Sequence, residues 1–189
     1  MDTTHINQRL SFIGIDKDVR TALAEVEPVV TGALPEALTA FYDLIADTPD
    51  TDEMFQSEAV KDHARSAQEK HWERLLDGRI DLEYAENVKR IGLAHAKLGL
   101  EPRYFVAGYA NVAADLLKEV ITTQLGRAVL PARRDKAVRG VDALIRVLML
   151  DMEMAITAYL EQTEERARER RVQIAGQIEE TVEETVGAL

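Results

Sequence analysis

The feature that most constrains the fold is the helical spacing of apolar residues, which only a few glycines and prolines interrupt. Apolar side chains recur at intervals of three and four along most of the chain, and no segment shows the alternation typical of a strand. Asp16 can cap a helix that Pro28 interrupts, and a second helix is predicted over residues 32–46. Residues 47–52 have the composition of a loop. The chain is therefore predicted to be all-α.

Further helices are predicted downstream from the same glycine and proline signals. A helix over residues 57–76 ends at Asp77-Gly78, and Asp81 opens another helix that Gly99 ends as a C-cap. Pro102 begins the next helix, which extends to about residue 125. The last and longest helix begins near Pro131.

The C-terminal part of this last helix changes in composition. Glutamate and arginine dominate after Leu160, and small or apolar residues then resume at intervals that fit a heptad seam. The seam consists of Ala175, Ile178, Val182 and Leu189, with Thr185 between them. We expect residues 1–160 to form one domain and residues 161–189 a helical linker that begins a coiled coil. Because the seam is still running at Leu189, we expect the chain to be a fragment of a longer protein.

Composition excludes several classes of function. The chain has 189 residues, 46% of them apolar, which suffices for one core. It has no cysteine, so disulfides, thiolate metal sites and thiol nucleophiles are excluded. With 34 acidic and 23 basic residues the net charge is −11, which argues against a nucleic acid or an anionic membrane as partner. No apolar run approaches the roughly 20 residues of a membrane span, and no signal peptide is recognisable, so we expect a cytoplasmic location.

One histidine stands on an apolar helix face. The helix that Asp81 opens carries a stripe at intervals of four and three, formed by Tyr84, Val88, Ile91, His95 and Leu98. The stripe predicts that His95 points into the core, where an imidazole must be hydrogen-bonded or must bind a ligand. Gly92 leaves room beside it for a flat group or another backbone. On spacing alone, a core histidine bonded to a carbonyl or hydroxyl is the favoured interpretation.

Other kinds of metal or catalytic site lack their motifs. The Glu-x-x-His pattern of di-iron bundles is absent, as is the His-Glu-x-x-His of zinc proteases. His63 and His71 lie eight residues apart without a third ligand in register. A single imidazole is enough for haem, in which the porphyrin supplies the other four nitrogens. Ala64 and Ala67 would suit contact with a macrocycle, whereas Tyr42, judged alone, is better explained as an ordinary tyrosine at the edge of the core.

Three motifs together resemble the globin-coupled sensors. The stretch from Ile91 to Tyr104 is similar to the family's proximal-histidine motif Ile-Gly-x-x-His-x-x-x-Gly-Leu-x-Pro, followed by two aromatic residues. His71-Trp-x-x-Leu-Leu-x-Gly78-x-Ile-Asp81 resembles the junction before that helix, and Phe41-Tyr42-Asp-Leu resembles the element that carries the distal tyrosine. The resemblance covers about residues 10–160.

The resemblance implies a fold, a cofactor and roles for individual residues. The fold would be a globin with an extra N-terminal helix, a fourth helix reduced to a loop at residues 77–80, and a long C-terminal helix leading to a coiled coil. His95 would be the proximal ligand of haem b iron, and Tyr42 the distal hydrogen-bond donor to bound O2. From their helix faces, the other residues expected to line the pocket are Phe41, Phe55, Ala64, Ala67, Val88, Ile91 and Leu98. Family members dimerise through their last two helices.

The sequence departs from the family pattern at three positions. Ala67 stands where some members have a threonine as a second distal polar contact. The aromatic pair after Pro102 is Tyr104-Phe105, which lacks the hydroxyl of the usual second tyrosine. His71 matches a histidine of relatives but is implied to have no ligand role, so we expect it on the surface.

The function that these observations imply is a haem-based sensor of oxygen, with CO or NO as other candidate gases, in an aerotaxis or chemotaxis transducer. A homodimer would pass the signal to a downstream domain, and the sensor domain itself would not be an enzyme. Alternatives are the sensor domain of a diguanylate cyclase or histidine kinase, a stand-alone protoglobin-like haem enzyme acting on O2 or NO, and a cofactor-free helical interaction module.

Overall fold

Helices form all the regular structure of residues 2–125 and 131–187, which are the residues that the computed structural model describes. These residues contain no strand, so the all-α prediction is confirmed. A π-helical turn, Ile121–Leu125, extends the sixth helix. The helices are α1 (Thr3–Ile13), α2 (Lys17–Asp47), α3 (Pro49–Asp52), α4 (Glu58–Leu76), α5 (Leu82–Leu98), α6 (Pro102–Val120) and α7 (Pro131–Gly187).

The prediction that Pro28 interrupts the helix capped by Asp16 is wrong, because a single helix, α2, continues through both Pro28 and Pro35. A proline inside a helix removes one hydrogen bond and costs about 3 kcal/mol. Both prolines lie on the exposed face of α2. The opposite face is buried continuously against α4, α6 and α7, and this packing outweighs the cost. The buried residues of that face include Val26, Val30, Leu34 and Leu38.

The predicted boundaries of α4 and α5 agree with the structure to within a residue, since local capping signals set them. Ser57 and Asp81 each accept a hydrogen bond from the backbone N–H three residues on, at the starts of α4 and α5. Gly99 ends α5 in the left-handed conformation, with a φ of 75°. Residues 47–52 were predicted to be a loop, but the structure forms the short helix α3 within them. Residues 77–81 form the predicted loop between α4 and α5.

The core lies where α2 crosses α6 and α7, with α5 packed along α7. Large side chains from five helices are almost fully buried there, among them Leu34, Trp72, Tyr84, Leu116 and Leu148. The first helix, α1, adds Ile6 and Leu10 to the same apolar cluster. One core therefore joins α1 to the first half of α7.

The long helix α7 extends beyond this core. Every side chain that the structure describes from residue 167 to residue 186 is exposed, including Ala175, Ile178 and Val182 of the predicted seam. Leu189 lies outside the described residues. The helix itself is thus confirmed to Gly187, whereas the coiled coil stays a prediction.

One helix of the described residues, α2, has the length and apolar composition to cross a membrane, with an 18-residue window of mean hydropathy 1.3. This differs from the prediction that no apolar run of the sequence approaches the length of a membrane span. In the structure α2 packs against α4, α6 and α7, which is the position of a core helix in a globular domain.

Candidate functional site

The stripe on α5 that contains His95 becomes less covered along its length. Tyr84 and Val88 at its beginning are 1% and 0% exposed. Ile91 and His95 are half-buried, and Leu98 at the end is 63% exposed. The prediction that His95 points into the core is therefore only partly right, since its ring lies where the cover of the stripe ends.

Helix α4 shows the same change in the opposite direction along the chain. Its last six residues contain His71, Trp72, Leu75 and Leu76, all buried. The preceding part of α4, residues 58–70, contains no buried residue. Val60 is 45% exposed, although it is apolar.

These two helices meet at the loop of residues 77–81, so their covered ends are adjacent and their uncovered ends lie away from the loop. Beyond the loop, α4 and α5 make few contacts with each other. Val60 of α4 and Leu98 of α5 are apolar side chains exposed at these uncovered ends, which leaves them available to an apolar partner or ligand.

The His95 ring has one nitrogen engaged and the other free. Its Nδ1 lies 2.8 Å from the carbonyl oxygen of Ile91, one turn earlier. Because a carbonyl can only accept, Nδ1 carries the proton and the lone pair is on Nε2. No group of the described residues hydrogen-bonds to Nε2. Phe105 stacks on the ring, with 4.3 Å between centroids and 13° between the planes.

Burial lowers the pKa of His95 below its ordinary value of 6.5, while the bond to Ile91 acts weakly in the opposite direction. The imidazole is therefore neutral at pH 7, which is the form that binds a metal ion. The sequence pattern places Phe105 in the aromatic pair after Pro102, but nothing in it predicts that Phe105 stacks on His95.

Tyr42 lies in a second cluster, formed by aromatic rings. It is 8% exposed, and its ring meets those of Phe41 and Phe55 edge-on, at centroid distances of 5.2 and 6.2 Å. No group of the described residues hydrogen-bonds to its hydroxyl. Burial raises the pKa of Tyr42 to about 12, opposed by the charge of Arg65. The phenol is thus a protonated donor without a protein acceptor.

The structure places the remaining predicted residues as follows. Phe41 fills the space over Gly108, where a Cβ atom would lie 2.8 Å from its ring. Phe55 is half-buried, and the Lys61 ammonium lies 5.9 Å from its ring centroid. On α4, Ala64 is half-buried, whereas Ala67 is exposed. No hydrogen bond or ring pair of the described residues joins the Tyr42 cluster to the His95 ring.

The expectation that His71 lies on the surface is wrong. It is 8% exposed, and its Nε2 lies 3.0 Å from Oδ2 of Asp151, a residue of α7 that is 2% exposed. The Tyr84 hydroxyl donates to the other carboxylate oxygen, and Asn87 lies 3.4 Å from His71 Nδ1. A buried carboxylate requires such partners. The cluster ties the covered ends of α4 and α5 to α7.

The donor set restricts what metal group the site could hold. Within the described residues, no group of three or more histidine, aspartate or glutamate side chains is placed to bind an ion. A metal bound at Nε2 of His95 must therefore bring most of its own ligands. Haem does so, and its flat apolar ring suits the uncovered faces of α4 and α5. The residues present fit this group.

Comparison with known proteins places the chain among globins. The family model described as Protoglobin matches residues 2–165. The heme-based aerotactic transducer HemAT of Halobacterium salinarum is 28% identical over 200 residues, which cover 100% of this chain and 40% of that protein. The chain thus spans about two fifths of the length of this curated relative.

A solved structure shows the same fold. The globin domain of a Geobacter sulfurreducens globin-coupled sensor matches with a TM-score of 0.70 and 18% identity, covering 81% of this chain and 96% of that one. Together with the family match over most of the chain, this establishes that the chain has a globin fold and belongs to the protoglobin family.

Proposed function

We propose that this domain binds haem b through Nε2 of His95 and senses a diatomic gas, oxygen first, within a signal transducer. The observation that carries the proposal is the neutral His95 ring, with its unbonded Nε2 at the edge of uncovered apolar helix faces. Membership of the protoglobin family and the similarity to a haem-based transducer support it. When bound, haem iron supplies reversible binding of a diatomic gas.

The protein groups around His95 orient the ring. The hydrogen bond to Ile91 sets the tautomer and makes Nε2 more basic, as hydrogen-bond partners of the other ring nitrogen do in metal-binding histidines. Stacking on Phe105 restricts rotation of the ring. The apolar side chains along the uncovered ends of α4 and α5 would cover the macrocycle and exclude water.

Tyr42 is the candidate donor to the gas. Its side chain is 8% exposed, its hydroxyl is protonated, and no group of the described residues hydrogen-bonds to that hydroxyl. A hydrogen bond from such a donor is worth about 1 kcal/mol and favours oxygen over carbon monoxide, which accepts hydrogen bonds less well. Carbon monoxide and nitric oxide are the other gases that the same site would accept.

We propose that the signal leaves the domain through α6 and α7 of a homodimer. Apolar residues on these helices are exposed in the single chain, among them Val106, Ile121, Val138, Ile145 and Met149. A second copy would cover them. Residues 1–160 would form the sensor and residues 161–189 the link to a cytoplasmic output domain. Gas binding transmits a signal only if two states of the dimer bind the gas unequally.

The output of the whole protein has two kinds of candidate. A chemotaxis transducer is favoured because the curated relative is named an aerotactic transducer. A diguanylate cyclase or histidine kinase would use the same sensor with another output domain. We propose that the domain itself is not an enzyme. A haem enzyme of the stand-alone protoglobin kind is the alternative, and turnover of oxygen or nitric oxide by the isolated domain would favour it.

The test is the absorption spectrum of the protein titrated with haemin, reduced and then exposed to oxygen. The proposal predicts a Soret band at one haem per chain and a reversible oxygenated spectrum. His95→Ala should lose or strongly alter the band. His63→Ala is the matched control, because His63 is exposed on α4. A parent without haem uptake would instead support a cofactor-free interaction module.

A further inference from the structure

Two side chains of α7 hold the C-terminal end of the His95 helix. The Tyr159 hydroxyl donates to the Leu100 carbonyl at 2.8 Å, and Nη1 of Arg166 donates to the Ala96 carbonyl at 3.0 Å. Tyr159 and Arg166 are seven residues apart and therefore lie on the same face of α7. Tyr159 is also near Phe105, with 6.3 Å between ring centroids, and Phe105 stacks on His95.

The bond from Arg166 suits the end of a helix. The last carbonyls of a helix lack the usual intrahelical partner, and a positive charge near them is stabilising. The Ala96 carbonyl accepts a hydrogen bond from the Gly99 N–H at the helix end, and Arg166 adds a second, charged donor to it. Ala96 directly follows His95 and is 3% exposed. No carboxylate of the described residues pairs with Arg166, although Glu164, Glu165 and Glu169 are its neighbours in sequence. The Arg166 guanidinium therefore bonds to α5 rather than to a carboxylate of its own helix.

Arg166 also marks the point at which α7 leaves the globin. It is half-buried, whereas every described side chain from residue 167 to residue 186 is exposed. Among the described side chains of α7, Arg166 is the last that hydrogen-bonds to another helix of the domain. On α5, the bonded carbonyl belongs to the residue directly after His95. On α7, Arg166 directly precedes the outgoing segment, residues 167–187.

We propose that Arg166 is a positioning residue that couples the His95 helix to the outgoing segment of α7. It fixes the last turn of α5, and a displacement of that turn changes the helix that leaves the domain. The inference rests on the proposed function, because gas binding at His95 supplies the displacement. It goes beyond that function by assigning the transmitting contact to a residue just outside the family match of residues 2–165.

The experiment compares Arg166→Gln and Arg166→Lys with the matched control Arg168→Gln, whose parent residue is exposed two positions on. Hydrogen exchange of the haem-free protein is measured first. Loss of one hydrogen bond predicts about fivefold faster exchange at the end of α5 in Arg166→Gln. Arg166→Lys should recover part of the protection, and Arg168→Gln should match the parent. Unchanged exchange in Arg166→Gln would overturn the attachment whether or not haem binds.

The haem-loaded dimer is then measured by resonance Raman spectroscopy and hydrogen exchange. We expect Arg166→Gln to shift the iron–histidine stretching band and to abolish the difference in exchange of residues 167–187 between gas-free and CO-bound protein. A parent-like band and an intact difference in this variant would overturn the coupling. Failure of the proposed function is distinguishable, because the parent itself would then take up no haem or respond to no gas, and the coupling would fall with it.

Discussion

A Cβ atom on Gly92 would lie 2.3 Å from the carbonyl oxygen of Ala155 and 2.9 Å from the Cβ of Ala158. Helices α5 and α7 therefore touch backbone to backbone at this point, one turn before His95. The contact explains why α5 packs along α7 more closely than along any other helix. Of the two possibilities that the sequence left open for Gly92, a flat group or another backbone, the structure shows the backbone.

Gly92→Ala should destabilise the protein by about 1–3 kcal/mol, because the new methyl group must push α5 away from α7. The intrinsic helix preference of alanine over glycine, about 1 kcal/mol, acts in the opposite direction. Urea unfolding measures the difference. Gly32→Ala is the control, since nothing lies within 4 Å of its Cβ position, and it should be neutral or stabilising. A Gly92→Ala protein stabilised as much as the Gly32→Ala control would show that the helices are not in contact.

Asp151→Asn should cost about 3 kcal/mol or more of the free energy of unfolding, since breaking a buried polar cluster leaves its partners unsatisfied. His71 and Tyr84 both depend on this carboxylate. Asp142→Asn on the exposed side of the same helix is the matched control and should change stability by less than about 0.5 kcal/mol. Equal effects of the two variants in chemical denaturation would refute the structural role of the cluster.

Tyr42→Phe should raise the oxygen dissociation rate of the haem-loaded protein about fivefold, since it removes a hydrogen bond worth about 1 kcal/mol. Carbon monoxide dissociation should change less. Tyr104→Phe is the control, because the Tyr104 hydroxyl is engaged with Asp50. Stopped-flow absorption measures both rates. An unchanged oxygen rate in Tyr42→Phe would remove Tyr42 from the distal site.

The stability of the haem-free protein should depend on pH through His95. Burial lowers the pKa of this residue in the folded state below 6.5, so the unfolded chain binds the proton more tightly. The contribution to stability is therefore complete above pH 6.5 and is lost as the pH falls towards the folded-state pKa. Urea unfolding as a function of pH should show this loss in the parent and not in His95→Gln. The same acid dependence in both proteins would contradict it.

Much of the fold was predictable because its signals are local. Asp81 and Gly99 bound α5 through hydrogen bonds within a few residues, and Pro102 begins α6 through its fixed φ. The failure at Pro28 has a non-local cause, since the face of α2 opposite both prolines is buried by α4, α6 and α7. A proline in the sequence indicates the free-energy cost to its own helix, but not the packing elsewhere that offsets this cost.

The site was predictable in part. The position of His95 follows from the stripe, but the uncovered end of that stripe depends on where α4 lies. Asp151, the partner of His71, is 80 residues away along the chain, so no sequence pattern connects the two. The contact of Arg166 with Ala96 spans 70 residues and is equally invisible in sequence.

The most direct test of the central claim, that Nε2 of His95 is the iron ligand, is chemical rescue of His95→Gly. We predict that the variant loses the parent's ferrous and oxygenated absorption spectra, and that free imidazole, which can replace the missing ring, restores them. His63→Gly should need no rescue. A His95→Gly protein with the parent's spectra before imidazole is added would contradict the assignment of His95, and with it this account of the domain.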